Sequence, residues 1–410
     1  MGVCCLFLLG LVFVVHRSPR PEVSRGSALD IQLQVLEQAI ARNRQDTTSA
    51  LALTELYLQK VRETADVAYY EKIDQLIGAL ATTTPEVLAA RASVALGRHH
   101  FREGYALTTQ ALAGDPNNYR YYGLKGDAEI ELGKYEEAVA SFQEMVNRRP
   151  NFSSHTRIAY IRELYGDVPG AEQALAAALT NGSSYPENLA WAAVELGKLA
   201  HRHDPAKAKE WYLHALAFVP EYPPALEGLG KHAYFRGAVP QAVDFVRRAY
   251  QALPIAQYAI TLGDISMATG STTLAAQQYT LAELAYEQSA KSGVTTDLEY
   301  AVFLLDRDRT LPIALERARA AYAERPGIYA ADALAWALYK NRQYAEARTY
   351  STEALRLSET EAPLLYHRGL IALALGKKGE AKAYLEKALA ADPYFSILHA
   401  TAARATLQSL

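Results

Sequence analysis

Side chains able to titrate, ligate or attack are sparse in this 410-residue sequence, and few of them are grouped. His201, His203 and Asp204 form the run H-R-H-D, with His214 further on. A metal ion could use that spacing, but a solvated helix end accounts for it equally, because histidine is favoured in the last turn by the helix dipole. The solvated terminus is the reading adopted, and His99-His100 is read in the same way. Asp306-Arg307-Asp308-Arg309 reads as a solvated turn between helices rather than an ionic docking patch. Gly228-Leu229-Gly230 lies inside a helical pattern and follows no strand, which excludes a dinucleotide turn. Asn151-Phe152-Ser153 and Asn181-Gly182-Ser183 match the glycosylation acceptor pattern and are taken as coincidences of linker composition. The sequence holds no phosphate-cradling G-x-x-x-x-G-K-[ST], no zinc-binding H-E-x-x-H and no G-x-S-x-G nucleophile elbow. The chain is therefore expected to carry no catalytic residue, no metal site and no cofactor.

Composition points the same way. The 42 basic and 45 acidic residues leave a formal charge of -3, without the basic excess that a nucleic-acid partner requires. Half of the residues are apolar, enough to bury a large core. The two cysteines, Cys4 and Cys5, both lie at the N-terminus, so no disulfide or thiolate metal site can form in the body.

Residues 1–15, MGVCCLFLLGLVFVV, form an unbroken apolar run, a little short of the ~17–25 residues of a bilayer span. No basic residue precedes it and no small-x-small site follows, so it is read as an N-terminal hydrophobic helix that anchors the chain in a membrane. The alternative is a cleaved signal and a secreted or periplasmic body. The arginines at 17, 20 and 25 and an ordinary N-terminal anchor argue for opposite sides of the membrane. Residues 16–27 read as a flexible linker.

The body repeats. One alanine series runs Ala138, Ala171, Ala208, Ala242, Ala275, Ala314, Ala347, Ala381, mostly in steps of 33 or 34 residues. A second runs Ala111, Ala178, Ala215, Ala249, Ala282, Ala321, Ala354, Ala388, with Met145 in its gap. Glycines recur where a first helix must stop (Gly133, Gly166, Gly237, Gly270, Gly376), and prolines close many units (Pro116, Pro150, Pro220, Pro254, Pro326, Pro393). Each unit is thus two short amphipathic helices, with alanine where they cross closely. One pair cannot bury its apolar face alone, so pairs stack on their neighbours.

These residues resemble the tetratricopeptide repeat. The best match, from Tyr119 to Phe152, supplies Gly126, Gly133, Tyr135, Ala138, Phe142 and Pro150. The resemblance implies an all-α, right-handed α-solenoid of helix-turn-helix repeats. About nine units are expected over 85–393, starting near 85, 119, 152, 189, 223, 256, 295, 328 and 362. Residues 28–84 are read as degenerate repeats and an N-cap, and 394–410 as a C-terminal capping helix. The resemblance further implies that first-helix residues line a concave groove for partners: Arg120, Asp127, Arg157, Tyr160, Lys231, Tyr234, Asp264, Glu299, Phe303, Asp332, Trp336, Tyr339 and Tyr366. The lysine, asparagine and arginine with which some family members clamp chaperone tails are missing, since successive early units place Ala89 and Ser93, Gly123 and Asp127, Thr156 and Tyr160 there.

The sequence reading is thus a membrane-tethered, non-catalytic scaffold for protein or peptide partners, with no nucleic acid. A small-molecule or glycan binder with a tyrosine-rich groove, or the regulatory subunit of a separate enzyme, stands as the alternative.

Overall fold

The computed structural model describes residues 28–410, and the apolar run and linker of 1–27 lie outside the described residues. Among the described residues there are 22 helices and no strand, and no helix is long and apolar enough to cross a membrane. Three helices lead: α1 (Ala28–Arg42), α2 (Thr47–Thr64) and α3 (Ala68–Gly78). Nine helical pairs follow: α4 and α5 (Pro85–Gly97, Phe101–Gly114), α6 and α7 (Tyr119–Glu131, Tyr135–Arg148), α8 and α9 (Phe152–Leu164, Val168–Asn181), α10 and α11 (Pro186–His201, Pro205–Phe218), α12 and α13 (Pro223–Phe235, Val239–Ala252), α14 and α15 (Ala256–Ala268, Thr272–Lys291), α16 and α17 (Asp297–Asp306, Leu311–Glu324), α18 and α19 (Ile328–Lys340, Tyr344–Ala354), and α20 and α21 (Ala362–Ala374, Lys378–Ala391). The last helix is α22 (His399–Ser409).

Two units begin away from the expected register. α15 has no proline to stop it near the end of its third turn and runs 20 residues, so α16 begins only at Asp297. α10 begins three residues early because Pro186 is pre-organised for the first helical position.

The alanines explain the pairing. All eight of the first series have no exposed surface, and the nine residues of the second are at most 3% exposed. Opposite them the first helix carries a small residue. A Cβ at Gly126 would collide with the ring of Phe142, which fixes how closely α6 and α7 approach. At the turn between the two helices a residue adopts the left-handed conformation in every unit but the fourth. Glycine does so in five units, at φ of 71 to 83°, while His99, Asp308 and Arg342 do so in units one, seven and eight.

First helices touch the first helices of the next unit, as α10 touches α12 and α16 touches α18. Second helices are held mainly by their own partner and the following first helix. The first helices therefore form the inner row of a curved stack, and the second helices the outer row.

Curvature brings the stack back on itself, which pure neighbour stacking does not require. Thr295 donates its N–H to the Arg98 carbonyl at 3.0 Å, and His99 Nδ1 lies 2.7 Å from the Thr295 carbonyl. Arg102 donates to the Ala323 carbonyl at 2.7 Å. The N–H of Ile328 donates to the Tyr135 hydroxyl at 2.8 Å, and Ser358 donates to the Leu164 carbonyl at 3.1 Å. The His201 ring lies 5.6 Å from that of Tyr394. Most of these contacts join residues 193 to 196 positions apart. The mid-unit turns of units one to four thus meet the inter-unit linkers of units six to nine along one seam.

Both ends also turn inward. Ala65, in the α2–α3 turn, joins the apolar cluster of Leu226, Ile255, Tyr258 and Ile397. Ile397 precedes α22 instead of lying on it, so the terminal segment caps α21 with the helix and fills the interior with its leading loop.

Candidate functional site

The inner row encloses the polar part of the molecule. One cavity of about 410 Å³ lies mainly among units four to nine and the 392–399 segment, with His99 and Glu163 of earlier units on its wall, and a second of about 610 Å³ lies between α2 and the first three units. The larger set of charges lines the first: seven carboxylates, four basic side chains and four histidines.

The expected groove residues are on or beside this inner surface, and most are engaged within the molecule. At the second cavity, Arg120 pairs with Glu55 at 2.6 Å, and Arg157 grips both oxygens of Asp127, at 2.8 and 2.5 Å. Burial raises the Asp127 carboxyl above its ordinary value, outweighing the pull of Arg157. Tyr160 is half-buried against the Ile130 cluster. At the main cavity, Lys231 pairs with Glu227 at 2.7 Å, while Tyr234 stands edge-on to Phe235. Asp264 accepts from Arg307 at 3.0 and 2.6 Å and from the Tyr279 hydroxyl at 2.9 Å. Glu299 accepts from Arg325 at 2.7 Å, and Phe303 is 1% exposed in the core.

Asp332, Trp336, Tyr339 and Tyr366 belong to a denser assembly at the C-terminal side. Trp336 is 1% exposed, sandwiched between Tyr339 at 4.8 Å and His367 at 4.2 Å between ring centroids. Tyr366 stacks on His399 at 5.1 Å. The reason for this burial is curvature: at the inner row the next first helix and the terminal segment cover ring faces that a shallower arc would leave to solvent.

Buried arginines clamp the seam. Arg325 bridges Glu131 of unit two, at 3.3 Å, and Glu299 of unit seven. Arg202 bridges Glu163 and Glu361, the latter at 3.2 Å. Burial pushes the Glu163 carboxyl up to about 7, against the pull of Arg202 and with Glu361 adding to the rise. Such pairs specify register more than they stabilise, since each charge also loses its hydration.

The histidine readings change. His99 is 5% exposed and bonded across the seam, so it is not a solvated terminus. His201 faces Phe235 and Tyr394 with both ring nitrogens buried and without a protein partner, and burial, with His232 and Lys231 adding, lowers its pKa to about 4. His203 instead approaches Glu172 at 3.4 Å and His214 stacks between Trp211 and Phe218, so the H-R-H-D run does not converge on an ion. Nor is Asp306-Arg307-Asp308-Arg309 wholly solvated: Arg307 turns inward to Asp264 and Asp306 accepts from Trp336 Nε1 at 3.1 Å. Asp306, His367 and His399 come together there, a grouping that sequence spacing did not reveal because 61 and 32 residues separate its members.

Residues 88–155 and 362–395 match family models described as tetratricopeptide repeat, which correspond to units one and two and to unit nine. No curated protein sequence matches the chain. Solved structures resemble it at low identity. PilW, a type IV pilus biogenesis factor, is 17% identical over 48% of this chain and 91% of its own, with a TM-score of 0.42. PilF of Pseudomonas aeruginosa is 15% identical over 47% and 88%, with a TM-score of 0.40. The human IFIT1 dimer with PPP-AAAA is 15% identical over 88% and 86%, with a TM-score of 0.46.

Proposed function

We propose that this tetratricopeptide-repeat protein is a non-catalytic scaffold that holds a polypeptide segment against the inner row of its coil. The observation that carries this reading is the charge state of the main cavity. Every cation on its wall already has a carboxylate: Lys198 has Glu195, Arg202 has Glu163 and Glu361, Lys231 has Glu227, and Arg307 has Asp264. Carboxylates outnumber cations on that wall. A polyanion would find no unpaired cation on this wall, whereas a neutral or basic polypeptide would find carboxylates, amide-bonding side chains and half-buried rings such as Phe235 and Tyr394. The apolar run of 1–15 would tether this scaffold to a membrane, which fractionation of cells expressing the full chain, with and without those residues, tests directly.

The scaffold reading is tested by placing a photo-crosslinking amino acid at Lys231 or Tyr234, on the inner face, and at Lys382, on the outer face. Lys382 is 61% exposed. Polypeptide adducts formed in cells from the inner positions and not from the outer one are the expected result. Equal adducts from both faces, or none from the inner face, would defeat the reading.

A further inference from the structure

We propose that Asp306, His367 and His399 bind one divalent transition-metal ion of the zinc class. The three come from three helices: Asp306 ends α16, His367 lies within α20, and His399 opens α22. Their potential ligand atoms all lie within 4.8 Å of one another, and His399 Nδ1 is 4.0 Å from the Asp306 carboxylate. Donors bound at ~2.0–2.2 Å in a tetrahedral shell lie about 3.3–3.6 Å apart, so the widest gap must close by about 1.2–1.5 Å. Rotation of the His399 side chain, the first residue of its helix, is the movement this closure requires.

What separates this grouping from a chance meeting of polar side chains is its surroundings. His367 Nδ1 lies 2.9 and 3.0 Å from the two oxygens of Asp332. A carboxylate can only accept, so Nδ1 carries the proton and the Nε2 lone pair is left to the ion. A carboxylate behind the imidazole is the arrangement that orients histidine ligands and strengthens them as donors. Asp306 is held by Trp336 Nε1, the His367 ring is stacked on Trp336, and the His399 ring is stacked on Tyr366. Each of the three donors is therefore fixed by a second residue. Charge agrees: Asp264, Asp306 and Asp332 surround the place, and the guanidinium among them, Arg307, binds Asp264 through both its Nε and Nη2 and reaches Asp306 only through Nη1 at 3.9 Å. A divalent cation would complete the neutralisation of Asp306 and Asp332.

Two imidazoles and one carboxylate suit zinc, cobalt, nickel or copper. Magnesium and calcium prefer all-oxygen shells. Three protein donors leave a fourth position, and the partly exposed sides of Asp306 and His399 direct it into the main cavity. Bound there, the ion ties the terminal helix to units seven and nine. This proposal stands independently of what the cavity accepts.

The test is titration of the metal-stripped full chain with Zn2+ and Co2+, followed by calorimetry, by cobalt absorption in the visible and by Trp fluorescence. Binding of one ion per chain at micromolar concentration or tighter, with a raised melting temperature, is expected. His399→Ala and the milder His399→Gln and Asp306→Asn should each weaken it at least about tenfold, and Asp332→Asn by about 10- to 100-fold although it removes no ligand. His203→Ala with His214→Ala should change nothing, and Mg2+ should not compete. Circular dichroism of each variant without metal separates loss of ligand from loss of fold. Absence of stoichiometric Zn2+ or Co2+ binding, or binding that survives His399→Gln and Asp306→Asn, would overturn the proposal.

Discussion

Replacing Gly133 by alanine should be more harmful than replacing Gly376, although both glycines do the same local work. Each sits at the turn between the two helices of its unit, at φ of 71° and 75°. A Cβ there crowds the following carbonyl and costs about 1–2 kcal/mol in either place. At Gly376 that is the whole effect, because an added Cβ meets nothing within 4 Å. At Gly133 the Cβ would lie 2.5 Å from the Pro326 carbonyl oxygen, against 3.4 Å for ordinary contact, so the returning turn must retreat. Retreat strains the bond from Arg356 to that carbonyl and the buried one from Ile328 N–H to Tyr135. Leaving one buried N–H unpaired adds about 1–3 kcal/mol. Denaturant titration of both variants should therefore place Gly133→Ala about 1–3 kcal/mol below Gly376→Ala. Small-angle scattering should show a larger radius of gyration for Gly133→Ala alone. Equal destabilisation with unchanged scattering would mean that the seam carries no energy and that the units stack independently.

Acid should act through His201. Its folded pKa of about 4 lies below the unfolded value of 6.5, so the unfolded chain takes up a proton that the folded chain refuses. The stability tied to this ring is complete above pH 6.5 and falls by about 3 kcal/mol as the pH drops to 4. His201→Phe should remove that share of the pH dependence, and curves that stay parallel from pH 7 to 4 would refute the assignment. Arg325→Met should cost about 3–5 kcal/mol at pH 8 by leaving Glu131 and Glu299 buried without their cation, and less at pH 5 where protonation relieves them, as paired urea titrations would reveal. Arg342→Gly should raise stability by about 1 kcal/mol by relaxing an exposed residue held at φ 62°, and no shift in its thermal midpoint would count against the strain.

Local features could be read in the sequence because each depends on its near neighbours. The small residues that let two helices cross, the turn glycines and the closing prolines all recur with the unit, and Ala138, Ala171 and Ala208 are fully buried as their spacing implies. What escaped depends on sums over many units. The small rotation at each step decides whether the stack closes, and no residue announces it, so the link from His99 to Thr295 and the bridging roles of Arg202 and Arg325 had no signature. The residues assigned to a groove lie on first helices, but no spacing revealed which of them meet internal partners. Stacking on the neighbouring unit then sets Asp127, Asp264 and Trp336 against internal partners. His201 and His203 read together as a solvated helix end, but the end of the helix sends the His201 ring inward and only His203 outward.

The return contact also sets a clock for synthesis. His99 cannot meet Thr295 until 196 further residues have left the ribosome. At 5–20 residues per second that takes about 10–40 s. Helix pairs close on themselves far sooner, so a nascent chain spends that interval as an open arc whose inside is bare on one flank. Any ligand that the finished coil admits slowly has an easier route during translation, before the last units arrive and complete the turn.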